Sequence, residues 1–302
     1  MSQGREISVI VNPESGRGRG RERSRELLAA LTAEGFAPSP RWTEGRGSAR
    51  ELSRQALAQG AREVVALGGD GTMQEVAGVL AASGCLLAPA PAGRCNDFCR
   101  SLGWRWQPAA LARALKAGLA RAVDLGLVNG KYYCTIGAVG FDAAVTRYVD
   151  RMRLPLTGTP AYLYAVLRML GLYQPPQARV LWDGGEYEGP LFLAAVGNTA
   201  TYGNGMPIVP MARPDDGWLD LCLIRPAGFW RVVSLLPTML KGSHGKAREV
   251  SFARTRRVEI QAPGGVEMWA DGEPLVHTAS LVIEAAPAAL RVLGPPAGPP
   301  GP

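Results

Sequence analysis

An α/β unit followed by an all-β unit is the architecture this sequence predicts, on three observations. From residue 6 to about 120, short apolar runs alternate with segments of helical period. Near Val123 the pattern changes to strand-like runs separated by glycine and aspartate turns. A glycine cluster, Gly68-Gly69-Asp70-Gly71-Thr72, falls where a strand of the first part gives way to a helix.

The first part reads as strand 7–11, helix 21–33 stopped by Gly35, strand 36–42 and helix 49–58 stopped by Gly60. Val64, Val65 and Leu67 then suit a buried strand, and Val76, Val79 and Leu80 recur at helical spacing. Such alternation gives a parallel sheet, whose ligands sit beyond the carboxyl ends of its strands. Asn12-Pro13-Glu14-Ser15-Gly16, Thr43 and the glycine cluster all fall at that end.

In the second part Asn129-Gly130 is a type I′ hairpin dipeptide between two apolar runs. Strands are expected at 177–182, 191–196, 219–224, 258–261, 266–269 and 280–284, forming an antiparallel sandwich or open barrel. Helical patterns at 160–172 and 229–240 are read as core-facing. The first, flanked by Arg147, Arg151 and Arg153, carries membrane docking as a second reading. The tail 295–302 is expected to be disordered.

With 302 residues and 47% hydrophobic content, the chain can bury two ordinary cores. A net charge of +7 and a pI near 9.4 favour an anionic partner: nucleotide, acidic lipid surface or nucleic acid. The arginines are dispersed, with no aromatic-interleaved basic stripe, which disfavours nucleic acid. Five cysteines without a paired CxxC pattern fit a reducing cytosol, and Cys95 and Cys99 receive no role. No apolar leader or membrane-length run is seen, so membrane contact is expected to be peripheral.

The glycine cluster has phosphate-binding character, because glycines admit an anion to the backbone and the following helix adds its positive end. Asp70 would repel phosphate there unless it holds Mg²⁺ or takes a substrate proton, although a tight turn capped by Asp70 is the plainer alternative. Asn96 and Asp97, in Pro91-Ala92-Gly93-Arg94-Cys95-Asn96-Asp97-Phe98, grip ribose or metal, or cap the next helix. The carboxylates of 210–220 suit a hard cation or a simple Asp-Gly turn, and Asp271-Gly272-Glu273 passes equally for a hairpin turn. A projecting Glu273 would be able to deprotonate a hydroxyl.

Taken in order, Asn12-Pro13-x-Ser15-Gly16, Gly68–Thr72, Pro91-x-Gly93-x-x-Asn96-Asp97-Phe98, Gly137-x-x-Gly140-Phe141-Asp142-Ala143, the 210–220 segment and Asp271-Gly272-Glu273 resemble the diacylglycerol kinase catalytic-domain family. That family includes bacterial soluble lipid kinases and the sphingosine and ceramide kinases. The resemblance implies a nucleotide-binding α/β domain at 1–122, completed by 287–302, and a β-sandwich acceptor domain at 123–286. It implies ATP against Gly68, Gly69, Asp70, Gly71 and Thr72, with Asn12, Ser15, Gly16, Thr43, Glu75, Arg94, Asn96 and Asp97 nearby. Asp70 would serve Mg²⁺ and phosphate alignment, and Glu273 would be the general base. A second, structural Mg²⁺ is implied at Arg213, Asp216 and Trp218, only Asp216 offering its side chain.

The resemblance therefore implies ATP-dependent phosphorylation of a lipid hydroxyl, diacylglycerol first, by a cytoplasmic enzyme in peripheral contact with a membrane and with no nucleic acid partner. Phosphatidylglycerol, a sphingoid base or NAD as acceptor, a non-catalytic regulator, and a homodimer stay open. One departure is clear: Arg94 stands where the family usually has threonine.

Overall fold

A computed structural model describes residues 5–151 and 159–295. The chain forms two compact units: Met1–Leu125 with Pro214–Asp216 and Ala286–Pro302, and Gly126–Arg213 with Gly217–Ala285. The short segment Pro214–Asp216 thus joins the first unit, whereas the sequence reading assigned it to the second.

The first unit runs β1 (Arg5–Val11), α1 (Gly20–Ala33), β2 (Phe36–Trp42), α2 (Ser48–Ala58), β3 (Glu63–Gly68), α3 (Asp70–Leu80) and β4 (Leu86–Pro91). Two short helices, α4 (Asp97–Ser101) and α5 (Pro108–Lys116), and then β5 (Ala120–Val128) follow. The first four strands are parallel in the order β4-β3-β1-β2. Helix α1 packs with α5 and α2 with α3, so β1 and β3 are covered on both faces. This is why Val9-Ile10-Val11 and Val64-Val65-Ala66-Leu67 are unbroken apolar runs rather than alternating ones.

The second unit contains β6 (Lys131–Tyr133), β7 (Ile136–Gly140), α6 (Phe141–Arg151), α7 (Thr159–Leu170), β8 (Gln177–Trp182), β9 (Gly185–Pro190) and β10 (Leu193–Gly197). It continues with β11 (Leu219–Ile224), α8 (Phe229–Leu240), β12 (Val250–Thr255), β13 (Arg257–Ala270) and β14 (Glu273–Leu293). Its strands pair antiparallel in the order β12-β11-β10-β7-β13-β14, and the β8–β9 hairpin joins β13. Alternate residues feed two cores. Ala194, Val196, Leu219, Leu221 and Leu223 enter one, and Leu193, Ala195, Cys222 and Ile224 enter the other, beneath α6, α7 and α8.

The two strands expected at 258–261 and 266–269 are one strand, β13, with an irregularity between Gln261 and Val266. Strand β9 lacks the apolar–polar alternation of a typical strand, because its glutamates alternate with Gly185, Tyr187 and Gly189 at an exposed hairpin. Helix α8, read as core-facing, buries only part of its apolar surface. The carboxyl end of β14 belongs to the first unit, and its Arg291 and Val292 pair in parallel with Leu86 and Leu87 of β4. The tail beyond residue 295 lies outside the described residues. No described helix is long and apolar enough to cross a membrane.

Candidate active site

Between β1 and β3 the strand order reverses, and in open α/β sheets ligands bind at the carboxyl side of that point. Asn12 ties the two strand ends together there. Its backbone N–H donates to the Leu67 carbonyl at 2.9 Å, and its Nδ2 donates to Thr72 Oγ1 at 3.1 Å. Its Oδ1 accepts the Glu14 N–H, and Ser15 Oγ donates to the Asn12 carbonyl at 2.7 Å. Thr43 is buried just past β2, its N–H donating to the Val11 carbonyl at 2.9 Å. Gly16 is buried against the Ala92 carbonyl, with no room for a side chain between them.

Glycine also brings the β4 loop onto the start of α3. A Cβ on Gly93 would lie 2.5 Å from the Gly69 Cα, so only glycine permits the approach. Asn96, with φ 52°, closes the loop by accepting the Gly93 N–H at 2.8 Å and donating to the Gly93 carbonyl at 2.9 Å. The Phe98 N–H then donates to Asp70 Oδ1 at 3.3 Å.

This closure gathers Asp70, Cys95 and Asp97, with one ligand atom of each within 4.8 Å of the others. Asp97 is buried, and an Arg100 nitrogen lies 3.5 Å from its Oδ1. Burial, and then the negative charges of Asp97 and Asp70, push the Cys95 thiol up, so it stays protonated. Fully buried Cys99 is raised further, by burial first and then by Asp70. A protonated thiol is a poor ligand for a hard cation, whereas two carboxylates suit Mg²⁺ well. The donor set therefore fits a Mg²⁺ ion held by Asp70 and Asp97, and the α3 dipole favours an accompanying anion. The parallel register Gly68↔Pro91 is what sets these two loops side by side. In the sequence the only sign of it is that glycine followed by carboxylate recurs at two successive strand ends.

Two expected nucleotide neighbours have work elsewhere. The Glu75 carboxylate accepts the Gly47 N–H at 2.6 Å and the Arg50 N–H at 3.1 Å, capping the start of α2. The Asn96 amide is engaged within its own loop, as described. Arg94 is exposed one residue beyond Gly93.

In the same unit the Pro214 carbonyl accepts the Asp124 N–H at 2.7 Å, and Asp124 Oδ1 accepts the Ala288 N–H at 2.7 Å. Asp124 is buried, and the sequence reading did not single it out. Asp215 Oδ2 lies 3.8 Å from an Arg121 nitrogen, and Asp216 follows it. Arg213 and Trp218 belong to the second unit. The Trp218 ring has the Arg256 guanidinium 4.4 Å and the Arg254 guanidinium 5.2 Å from its centre, so its side chain serves as a platform for cations.

Glu273 stands at the start of β14, half-buried, directly after a two-residue turn. Asp271 (φ 54°) and Gly272 (φ 85°) give that turn its type I′ form. The Asp271 carboxylate accepts the N–H of Cys134 at 2.7 Å, the N–H of Thr135 at 2.8 Å and the Thr135 hydroxyl. Fully buried Asn198 extends the network, its Nδ2 donating to the Cys134 carbonyl at 2.9 Å. Asn198, too, went unnoticed in the sequence, where it follows a strand as one more polar residue in a loop. Asp142, from the Gly140-Phe141-Asp142-Ala143 motif, accepts the Tyr202 hydroxyl at 2.8 Å.

Comparison with known proteins divides the chain between residues 128 and 135. Residues 6–128 match the diacylglycerol kinase catalytic domain, and residues 135–294 match the YegS C-terminal NAD kinase beta sandwich-like domain. A diacylglycerol kinase of Mycobacterium tuberculosis (strain ATCC 25618 / H37Rv) is 34% identical over 296 residues, covering 96% of this chain and 95% of that protein. A Pseudomonas aeruginosa (strain UCBPP-PA14) protein named "Probable lipid kinase YegS-like" is 36% identical over 279 residues, covering 92% and 91%. The crystal structure of a diacylglycerol kinase from Bacillus anthracis str. Sterne shares the fold, with a TM-score of 0.78 at 23% identity over 98% of this chain and 99% of that one. On the strength of both domains and of these relatives, the chain belongs to the diacylglycerol kinase family of lipid kinases, phosphotransferases whose acceptor is an alcohol.

Proposed function

We propose that this enzyme transfers the γ-phosphate of ATP to a hydroxyl of a membrane lipid, with diacylglycerol as acceptor and phosphatidic acid as product. The observation that carries the reading is the pairing of the Asp70 carboxylate, at the start of α3, with that of Asp97, at the start of α4, framed by the close approach of Gly69 and Gly93. Phosphoryl transfer needs positioning and charge neutralisation more than covalent chemistry from the protein. In this reading the phosphates lie against Gly68–Thr72, with Asn12, Ser15 and Thr43 around them. Asp70 and Asp97 would hold Mg²⁺, which when bound would offset the negative charge of the phosphates. Asn12, fixed to Thr72, keeps the β1 loop and the helix start in register. Arg94 adds a long cation beside the phosphates. Glu273 takes the proton from the acceptor hydroxyl as its oxygen bonds to the γ-phosphorus and ADP leaves. Asp216, with the carbonyls of Arg213 and Trp218, would hold a second, structural Mg²⁺. The enzyme acts in the cytoplasm, at a membrane surface.

The test is transfer from labelled ATP with Mg²⁺ to a panel of diacylglycerol, phosphatidylglycerol, sphingosine, ceramide and NAD, comparing the natural protein with Asp70→Asn and Glu273→Gln. Labelling of diacylglycerol that is lost in both variants supports the reading. Labelling of NAD alone, or ATP binding without any transfer, overturns it.

A further inference from the structure

Helix α8 has three faces rather than two. Val232 and Leu235 are buried, with Leu236 and Met239 packed beside them on the second core. Arg231, Ser234 and Thr238 line a polar edge, where the two hydroxyls donate back to the Arg231 and Leu235 carbonyls. The remaining arc, about 100° wide at 3.6 residues per turn, carries Phe229, Trp230, Val233, Pro237 and Leu240. It faces outward: Trp230 is 79% exposed, Leu240 68% and Phe229 40%. Just past the helix, Gly242 packs against Pro207 and Pro210, and the neighbouring Met211 is 74% exposed. A contiguous outward apolar strip of this kind marks an interaction surface rather than ordinary scatter.

The charges beside the strip are of one sign. Residues 225–249 carry Arg225, Arg231, Lys241, Lys246 and Arg248 against a single carboxylate, Glu249. That carboxylate is buried, and Arg231 grips it with two nitrogens at 2.9 and 3.1 Å while Arg248 approaches at 3.0 Å. What the surface presents is therefore tryptophan, phenylalanine and leucine on a segment whose exposed charges are cations. Trp and Phe on one face with Lys and Arg at its border suit the headgroup region of an anionic bilayer, which attracts the cations and accepts the rings.

We propose that the outer face of α8, with Met211 and the flanking cations, docks the enzyme onto anionic membrane surfaces. The proposal rests on the lipid-kinase reading for its purpose, since the acceptor must be met where it resides. It gives α8, rather than the 160–172 helix, the membrane contact.

The test is co-sedimentation of the full chain with vesicles of phosphatidylcholine alone or mixed with phosphatidylglycerol, at low and high salt. The natural protein should bind the mixed vesicles and be released by salt. Phe229→Ser/Trp230→Ser should weaken binding at least about tenfold. Lys241→Gln/Lys246→Gln should weaken it about 25-fold at low salt, from about 1 kcal/mol per cation. Thermal melting checks that these exposed substitutions leave the fold intact, and activity on a short-chain diacylglycerol dispersed as monomers should stay unchanged. Failure of the natural protein to bind, or variants that bind equally, would overturn the proposal. So would a natural dimer that the apolar substitutions turn into monomers without loss of vesicle binding. Because binding is read without turnover, loss of binding in the variants would uphold the surface even if no lipid were phosphorylated.

Discussion

Replacing Asp271 with alanine tests whether the turn before Glu273 is held by its own side chain. The carboxylate is the common acceptor of the Cys134 and Thr135 N–H groups and of the Thr135 hydroxyl. Cys134 and Thr135 are buried, so water does not readily replace the lost acceptor. Each buried donor left unmet costs about 1–3 kcal/mol, and alanine at φ 54° adds about 1 kcal/mol of strain. Counting the two N–H groups and the strain, the expected loss is about 3–7 kcal/mol in the second unit. Asp271→Asn, which tolerates the left-handed conformation and keeps one acceptor oxygen, should lose about half of that. Amide hydrogen exchange at Cys134 and Thr135, with urea unfolding alongside, reads the effect directly. A loss of 3 kcal/mol is about a hundredfold fall in protection. Turnover should fall more than ATP affinity, because the turn carries Glu273 and no group assigned to the nucleotide. Protection unchanged within about threefold, or a stability loss below about 1 kcal/mol, would refute the reasoning.

Three further outcomes are expected. Glu75→Ala should cost about 1–2 kcal/mol by uncapping α2, with the KM for ATP nearly unchanged; a selective rise in that KM would restore Glu75 to the nucleotide. Asp97→Asn should raise the Mg²⁺ concentration for half-maximal turnover at least about tenfold, and an unshifted Mg²⁺ titration would remove Asp97 from the metal. His244 is buried with its Nε2 3.0 Å from the Ile208 carbonyl, and burial holds its pKa below the ordinary 6.5. The unfolded chain therefore takes up this proton first, so stability should be full above pH 6.5 and decline as the pH falls below it. Urea midpoints measured from pH 7.5 to 5.5 should show that decline, and His244→Gln should flatten it; an identical slope in the variant would count against the assignment.

The sequence displays its parallel strands openly, because Val9–Val11 and Val64–Leu67 are buried on both faces and must be apolar throughout. Gly68–Thr72 and Asn12 are legible for a related reason: backbone that touches backbone requires glycine, and a loop at a strand end requires polar residues. The partnership of Asp70 with Asp97 is less so, because it depends on the register of β3 against β4. Asp124 and Asn198 look like ordinary polar residues until the carbonyls and amides they satisfy are seen. Glu75 misleads in the opposite direction: its place on α3 suggests the ligand, while its carboxylate reaches the start of a neighbouring helix. For α8, hydrophobic period identifies the helix but does not say how wide an arc of it the core accepts.

The final strand bears on how the chain is made. Leu290, Val292 and Leu293 are fully buried in the first unit, Trp104 Nε1 donates to the Leu293 carbonyl at 2.7 Å, and the Ala289 carbonyl accepts the Ala82 N–H at 2.7 Å. While these residues are still inside the ribosome, everything up to Leu125 has emerged with one edge of its sheet open beside β4. The amino-terminal half must therefore wait, incompletely paired, through the synthesis of the whole second unit. An exposed β4 edge is a template for mispairing during that interval, and a fragment ending near residue 125 should aggregate rather than fold.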